Sequence, residues 1–209
     1  MGLETIYQNV IDGDAPAVEA GVQAALAGGT AADTILQDAL IKAMREVGQR
    51  YENGDLYVPE MLIAARAMQS GMALLKPQLV AAGVKAAGTV IIGTVKGDLH
   101  DIGKNLVGMM LEGAGYEVID LGTDVGPEKF AQAAREHRTG VVGLSALLTT
   151  TMQNMKSTIE ALEDVGVRGQ YKVIVGGAPV TESFAKSIGA DGFAADASSA
   201  TRLVRELLP

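Results

Sequence analysis

Cysteine and tryptophan are absent from this 209-residue chain, and histidine occurs only at positions 100 and 137. Without thiols there can be no disulfide, no iron–sulfur ligand set and no thiolate zinc site. A catalytic zinc centre is not expected either, because it wants about three convergent protein ligands. Aromatic residues make up only 4% of the chain, which disfavours an aromatic-lined pocket. Basic residues are the minority, and the net charge of −8 argues against nucleic acid, whose phosphates call for a basic surface. No apolar run approaches the roughly 20 residues of a membrane span, and the amino terminus lacks a basic, apolar leader. A soluble, cytoplasmic protein is expected, with neither membrane nor nucleic acid among its partners.

What is present points to an ordinary folded core: 48% hydrophobic and 20% charged residues exclude a disordered chain. Alanine, glycine and methionine are plentiful, which suits close helix packing and close approach of backbone to a ligand. The period of the apolar residues changes once along the chain. From Leu3 to about Ala82 it is helical. Leu3, Ile6, Tyr7, Val10 and Ile11 share one face of a first helix, ended by Asp12-Gly13-Asp14. A second helix runs from about Pro16, capped by Asp14, to Gly28-Gly29. A third carries Ile35, Leu36, Ala39, Leu40, Ala43, Met44 and Val47 and stops near Asn53-Gly54. A fourth starts around Pro59 and carries Met61, Leu62, Ala65, Met68, Met72 and Leu75. Four helices on short connections form a bundle, expected to occupy residues 1–83.

After a linker at 83–88, short apolar runs alternate with helical patterns. The spacing predicts strands near 89–95, 116–120, 140–144, 173–175 and Phe193. It predicts helices near 103–114, 127–137, 152–165 and 181–188, and a last one from about Ala200. Such alternation means a parallel sheet covered on both faces. The expected fold is α/β: a helical cap domain, then a doubly wound, flavodoxin-like five-stranded domain over residues 88–209.

Unusual chemistry clusters where three of those strands end, the edge at which open α/β sheets bind ligands. The first loop is Gly97-Asp98-Leu99-His100-Asp101-Ile102-Gly103. Asp98 can bond one imidazole nitrogen and leave the other free for a metal, although such a pair can equally just tie down a loop. The third strand runs into Ser145-Ala146-Leu147-Leu148-Thr149-Thr150-Thr151, dense in hydroxyls, and the fourth into Gly176-Gly177-Ala178-Pro179. Taken singly these read as helix caps and a turn. Together they mark one site.

Asp98-x-His100-x-x-Gly103, Ser145-x-Leu147 and Gly176-Gly177, in that order, resemble the three-part signature of the cobalamin-binding domain. Val95 to Asn105 is similar to that domain in cobalamin-dependent methionine synthase, and the segment around Tyr57-Val58-Pro59-Glu60-Met61-Leu62 resembles the helical cap that precedes it there. The chain's size matches the corrinoid proteins of methyltransferase systems. The resemblance implies cobalamin or a related corrinoid as cofactor, with the cofactor's nucleotide base displaced and His100 as the lower ligand of cobalt. It implies that Asp98 binds the other ring nitrogen. Thr151 would extend the hydrogen-bond chain, where methionine synthase has a serine. Gly97, Leu99, Asp101 and Ile102 complete the implied cofactor loop. Ser145 and Thr149 would line the slot for the displaced nucleotide tail, with Gly103, Gly176, Gly177 and Ala197 letting it pass, and Leu147 is a further implied cofactor-binding residue. Tyr57, Met61 and Leu62 would cover the methyl face, with the linker at 83–88 as the hinge that uncovers it. The implied partners are a substrate-specific methyltransferase, a methyl-accepting methyltransferase and a reductive activator. The protein alone would not turn over.

His137, within Arg135-Glu136-His137-Arg138, is expected to be solvated, and Lys96 and Lys104 read as surface charge. Three rivals are weaker. A cobalamin sensor or storage protein would use the same pocket, but a basic recognition helix is lacking. The cobalamin subunit of a carbon-skeleton mutase would not carry the four-helix cap. A nucleotide binder should show a G-x-G-x-x-G or P-loop pattern, which does not occur.

Overall fold

A computed structural model describes residues 2–137 and 140–208. The chain divides into two compact units. One runs from the amino terminus to Ala86 and includes Glu112–Gly115, and the other holds Ala87–Leu111 and the residues from Tyr116 on.

The first unit is helical. Helix α1 (Leu3–Ile11) buries Ile6 and Val10. In α2 (Ala15–Ala27) Asp14 caps the first turn, its carboxylate accepting from the Ala17 amide at 3.0 Å. The third predicted helix departs from regularity: α3 (Ala32–Ile35) passes through a π-helical turn at Leu36–Ile41 into α4 (Lys42–Glu52). Leu36, Ala39, Leu40 and Ile41 are all buried there. A regular helix cannot aim four positions of that spacing into one core stripe, and the wider turn does so. Helix α5 (Val58–Ala81) starts where the Glu60 carboxylate accepts the Tyr57 amide at 2.8 Å. It packs closely on α2, since a side chain at Gly71 would lie 2.8 Å from Val18.

The second unit is an all-parallel sheet of β1 (Thr89–Thr94), β2 (Glu117–Asp120), β3 (Gly140–Ser145), β4 (Tyr171–Gly176) and β5 (Gly192–Ala194), in the order β2-β1-β3-β4-β5. Helices α6 (Ile102–Gly113), α7 (Pro127–Glu136), α8 (Gln153–Asp164), α9 (Glu182–Ser187) and α10 (Ala197–Leu207) complete it. Strand β4 starts two residues before the predicted edge because Tyr171 is itself a core residue, its hydroxyl donating to the Ala134 carbonyl at 2.9 Å. Helix α10 starts three residues before the expected Ala200, because Asp196 and Ser199 cap each other's backbone amides. One core joins Ile91, Val142 and Val175 of the sheet to Phe130, Met155 and Leu162 of α7 and α8. His137 caps α7, half-buried, with its amide on the Ala133 carbonyl; Arg138 lies outside the described residues.

The sequential order of strands reverses between β1 and β3. Their carboxyl ends therefore open a crevice, the place where doubly wound sheets bind ligands.

Candidate functional site

Two loops leave the sheet on either side of that crevice, residues 95–101 after β1 and 146–152 after β3. A single carboxylate holds them together. Asp98 is completely buried and accepts five hydrogen bonds. Oδ1 takes the His100 ring Nδ1 at 2.7 Å and the His100 amide at 3.1 Å. Oδ2 takes the Leu147 amide at 2.8 Å, the Leu148 amide at 3.2 Å and the Thr151 hydroxyl at 2.7 Å. Burial alone pushes this carboxyl up. The bonds from His100, Leu147 and Thr151 outweigh it and hold the group well below the usual carboxylate range. Asp98 is therefore an anion at any physiological pH, and an anion can only accept. The proton of the neutral imidazole is thus fixed on Nδ1, and the Nε2 lone pair is left free.

That free nitrogen faces an unusual surface. The His100 side chain is half-exposed. Around it in sequence stand Leu99, 73% exposed, and Ile102, 79% exposed, while Leu147 and Leu148 of the opposite loop are also exposed. Among the described residues these four are the only exposed large hydrophobics of the α/β unit. Large apolar side chains exposed on the two loops that carry and hold this imidazole suit a ligand with a broad apolar face. Among the described residues, no group of three or more histidines or carboxylates gathers as a metal-holding cluster. A metal held by His100 would therefore draw its remaining ligands from outside this loop.

The comparisons with known proteins agree. A family model described as the B12 binding domain matches residues 88–204, and a second model of the same description matches residues 3–76. The chain belongs to the B12-binding family. It is 40% identical over 209 residues to a corrinoid protein of Desulfitobacterium hafniense, covering 99% of this chain and 97% of that one. It is 46% identical over 176 residues to the dimethylamine corrinoid protein of Methanosarcina barkeri, covering 83% and 82%. Its fold matches a chain in the crystal structure of the methanol:cobalamin methyltransferase complex of Methanosarcina barkeri. That match has a TM-score of 0.89 and 30% identity, and covers 99% of this chain and 79% of that one.

For a B12-binding protein the expected residues fall into three groups. His100, Asp98, Thr151 and Leu147 come together as one hydrogen-bonded unit, carried on the loop that runs from Gly97 through Leu99, Asp101 and Ile102. Within it Asp101 has a local role: it accepts the Asn105 amide and side chain at the start of α6. Ser145 ends β3, half-buried between Thr94 and Gly176, and Thr149 is exposed on the following loop.

The glycines form the second group, and the structure gives two of them a different role. A side chain at Gly177, whose φ is +126°, would strike the Ala146 carbonyl at 1.9 Å. One at Gly176 would meet the Ala194 carbonyl at 2.8 Å. Both glycines are required by neighbouring strand ends of the protein itself, before any ligand arrives. Gly103 differs, because a side chain there would meet nothing within 4 Å. Ala197 is buried in the first turn of α10.

The third group holds the corrections. Met61 is completely buried and offers no surface to a ligand, as expected of an apolar residue on the core stripe of a long helix. Tyr57, by contrast, is exposed at the start of α5, and Leu62 is half-buried. Lys104 is not a surface charge: its side chain is 3% exposed and its ammonium pairs with Asp120 at the end of β2 and with Asn105. Lys96 is exposed.

Several positions that build this site are not evident from the sequence. The buried Thr94 hydroxyl donates to the His100 carbonyl at 2.8 Å. The Asn154 side-chain amide donates to the Lys96 carbonyl at 2.7 Å. Asp124 bonds Gly97 and Asp98 from the loop after β2. A signal for the last was available: Gly122-Thr123-Asp124 is a fourth polar loop at the same sheet edge.

Proposed function

We propose that this protein is a methyl carrier. His100 would hold the metal of a bound corrinoid, and the protein would accept a methyl group from a substrate-specific methyltransferase and present it to a second, methyl-accepting methyltransferase. The observation that carries this reading is the Nδ1 bond to a buried, ionised Asp98, which leaves Nε2 free on a loop with exposed apolar residues. Relatives named for dimethylamine and for the methanol:cobalamin methyltransferase complex support the methyltransferase setting. Bound there, the corrinoid supplies a cobalt centre able to take up and release a methyl group.

The protein's own part is electrostatic. Asp98 fixes the tautomer and the orientation of the imidazole, and Thr151 and the Leu147 and Leu148 amides keep Asp98 in place. The half-exposed ring would hold the cofactor's metal through Nε2, while its Nδ1 stays on the Asp98 carboxylate 2.7 Å away. Ser145, Thr149 and Gly103 are the positions proposed to line the path of the nucleotide tail, beside Gly176, Gly177 and Ala197. A reductive activator is the third proposed partner, since the reduced metal is open to stray oxidation.

The test is to load the protein with cobalamin, reduce it and mix it with amine or methanol methyltransferases and their substrates. Methylation in proportion to loaded protein is expected with a matching enzyme, and none with the protein alone. Failure of every such methyltransferase to methylate fully loaded protein would overturn the carrier reading.

A further inference from the structure

The geometry points to Asp124, on the loop after β2, as a positioning residue that holds the His100 loop from the side opposite Thr151. The proposal rests on the reading of His100 as the metal ligand. Asp124 grips the Gly97–Asp98 segment at two points: its carboxylate accepts the Gly97 amide at 2.7 Å, and its own amide donates to the Asp98 carbonyl at 2.9 Å. The grip starts from a fixed base. Beyond the end of β2 the parallel pairing resumes for one residue pair, Val95 with Val125, and the Val125 amide bonds the Thr94 carbonyl at 3.0 Å. Asp124 is thus anchored by its immediate neighbour to the strand that launches the histidine loop.

Two backbone conformations show what this bracket enforces. Asp124 is the only non-glycine residue with positive φ among the described residues, at +53°, and Gly97 stands at +81°. Strained backbone persists where surrounding contacts over-determine it, and it gathers at functional sites. The consequence is a ligand loop clamped on both flanks. Thr151, Leu147 and Leu148 take one oxygen of Asp98, and Asp124 takes the peptide on which Asp98 stands. Without the second flank the Asp98 carboxylate keeps its bonds to the β3 loop, but the Gly97 amide loses its acceptor and the turn that launches His100 loosens.

The test uses two substitutions that both tolerate positive φ. Asp124→Gly removes the carboxylate and keeps the backbone shape, and Asp124→Asn keeps an oxygen that can accept the Gly97 amide. Each is grown with nitrogen-15 histidine and loaded with unlabelled cobalamin, and the histidine-ligated fraction is read from the visible spectrum and from the nitrogen-15 doublet in the cobalt(II) electron paramagnetic resonance signal. In the cofactor-free protein, exchange of the Gly97 amide is read by nuclear magnetic resonance. In the Gly variant the histidine-ligated form is expected to weaken about tenfold against free cofactor base, with faster Gly97 exchange and an unchanged far-ultraviolet spectrum. The Asn variant is expected to recover both. Equal histidine ligation in wild type and both variants would overturn the proposal, and so would an Asn variant as impaired as Gly. Absence of histidine ligation in the wild type itself would instead overturn the reading of His100 on which it rests. If Asp124→Gly fails to fold, the Asn variant and the wild-type Gly97 exchange rate decide: an unprotected Gly97 amide refutes the bracket.

Discussion

Replacing Asp98 by asparagine changes one oxygen to an amide nitrogen with almost no change of shape, and its five hydrogen bonds set the outcome. Every partner of this carboxylate is a donor. The new NH2 must therefore face donors in either orientation. Turned toward Leu147 and Leu148, it leaves two backbone amides without acceptors, at about 1–3 kcal/mol each. Turned toward His100, it leaves one amide unpaired, and the ring can adapt only by accepting at Nδ1. That moves the imidazole proton to Nε2, the nitrogen required by the metal. The second orientation costs less in unpaired donors and is the one expected. Asp98→Asn should therefore lose about 1–3 kcal/mol of stability and about 10–100-fold in histidine ligation. Urea unfolding of cofactor-free protein reads the first, and a cobalamin titration followed in the visible reads the second. The effect also has a pH signature. The native carboxyl is held below its unfolded value of about 4, so its contribution is complete above roughly pH 5 and is lost as pH falls. The gap between wild type and Asp98→Asn should narrow toward about pH 3. A variant within about 0.5 kcal/mol of wild type that binds cobalamin with the histidine on would refute the reasoning, as would a gap that does not close in acid.

The other expectations concern the surroundings of this pair. Thr151→Val keeps the shape and removes the donor to Asp98, so a loss of about 1.5–3 kcal/mol is expected from urea unfolding, with recovery in Thr151→Ser. Gly103→Ala should leave stability unchanged, since nothing lies within 4 Å of the added methyl, yet weaken cobalamin binding if the nucleotide tail passes there. Gly177→Ala should cost about 3 kcal/mol or more in thermal or urea unfolding whether or not cofactor is present, because the methyl strikes the Ala146 carbonyl. For the Lys104–Asp120 pair the two single changes should differ. Asp120→Ala leaves the buried ammonium with the Asn105 oxygen but no counter-charge and is expected to cost about 1–3 kcal/mol, whereas Lys104→Met fills the same space and is expected to be nearly neutral.

Periodicity alone was enough to read the helical half, the five parallel strands and the flavodoxin-like order, because both layers bury continuous apolar faces. It missed the π-helical turn at Leu36–Ile41, where an irregular backbone serves four core residues that no regular repeat would group. The β1 and β3 loops were legible as a site because unusual residues stood at strand ends. Asp98-x-His100 carries its pairing in its spacing, and Thr151 was reached through the family resemblance. The opposite clamp was not legible. Asp124 lies 24 residues beyond His100 in sequence and meets its loop only because β2 and β1 are neighbours. Lys104 reads as a solvated charge on any composition rule, and only the fold shows that Asp120 draws it inward. The Gly176-Gly177 pair reads in the sequence as an opening for a ligand, and only the fold shows that the strand ends themselves leave no room for a side chain.

Every role proposed for this site depends on a nitrogen of His100 being bonded to cobalt. Wild-type protein grown with histidine labelled in both ring nitrogens with nitrogen-15, loaded with unlabelled cobalamin and reduced to cobalt(II), shows that bond or its absence by electron paramagnetic resonance. The nitrogen splitting should change from the triplet of nitrogen-14 to the doublet of nitrogen-15 and should persist in His137→Ala. A triplet that survives the labelling would mean that the cofactor's own base still holds the metal, and His100 would lose its role.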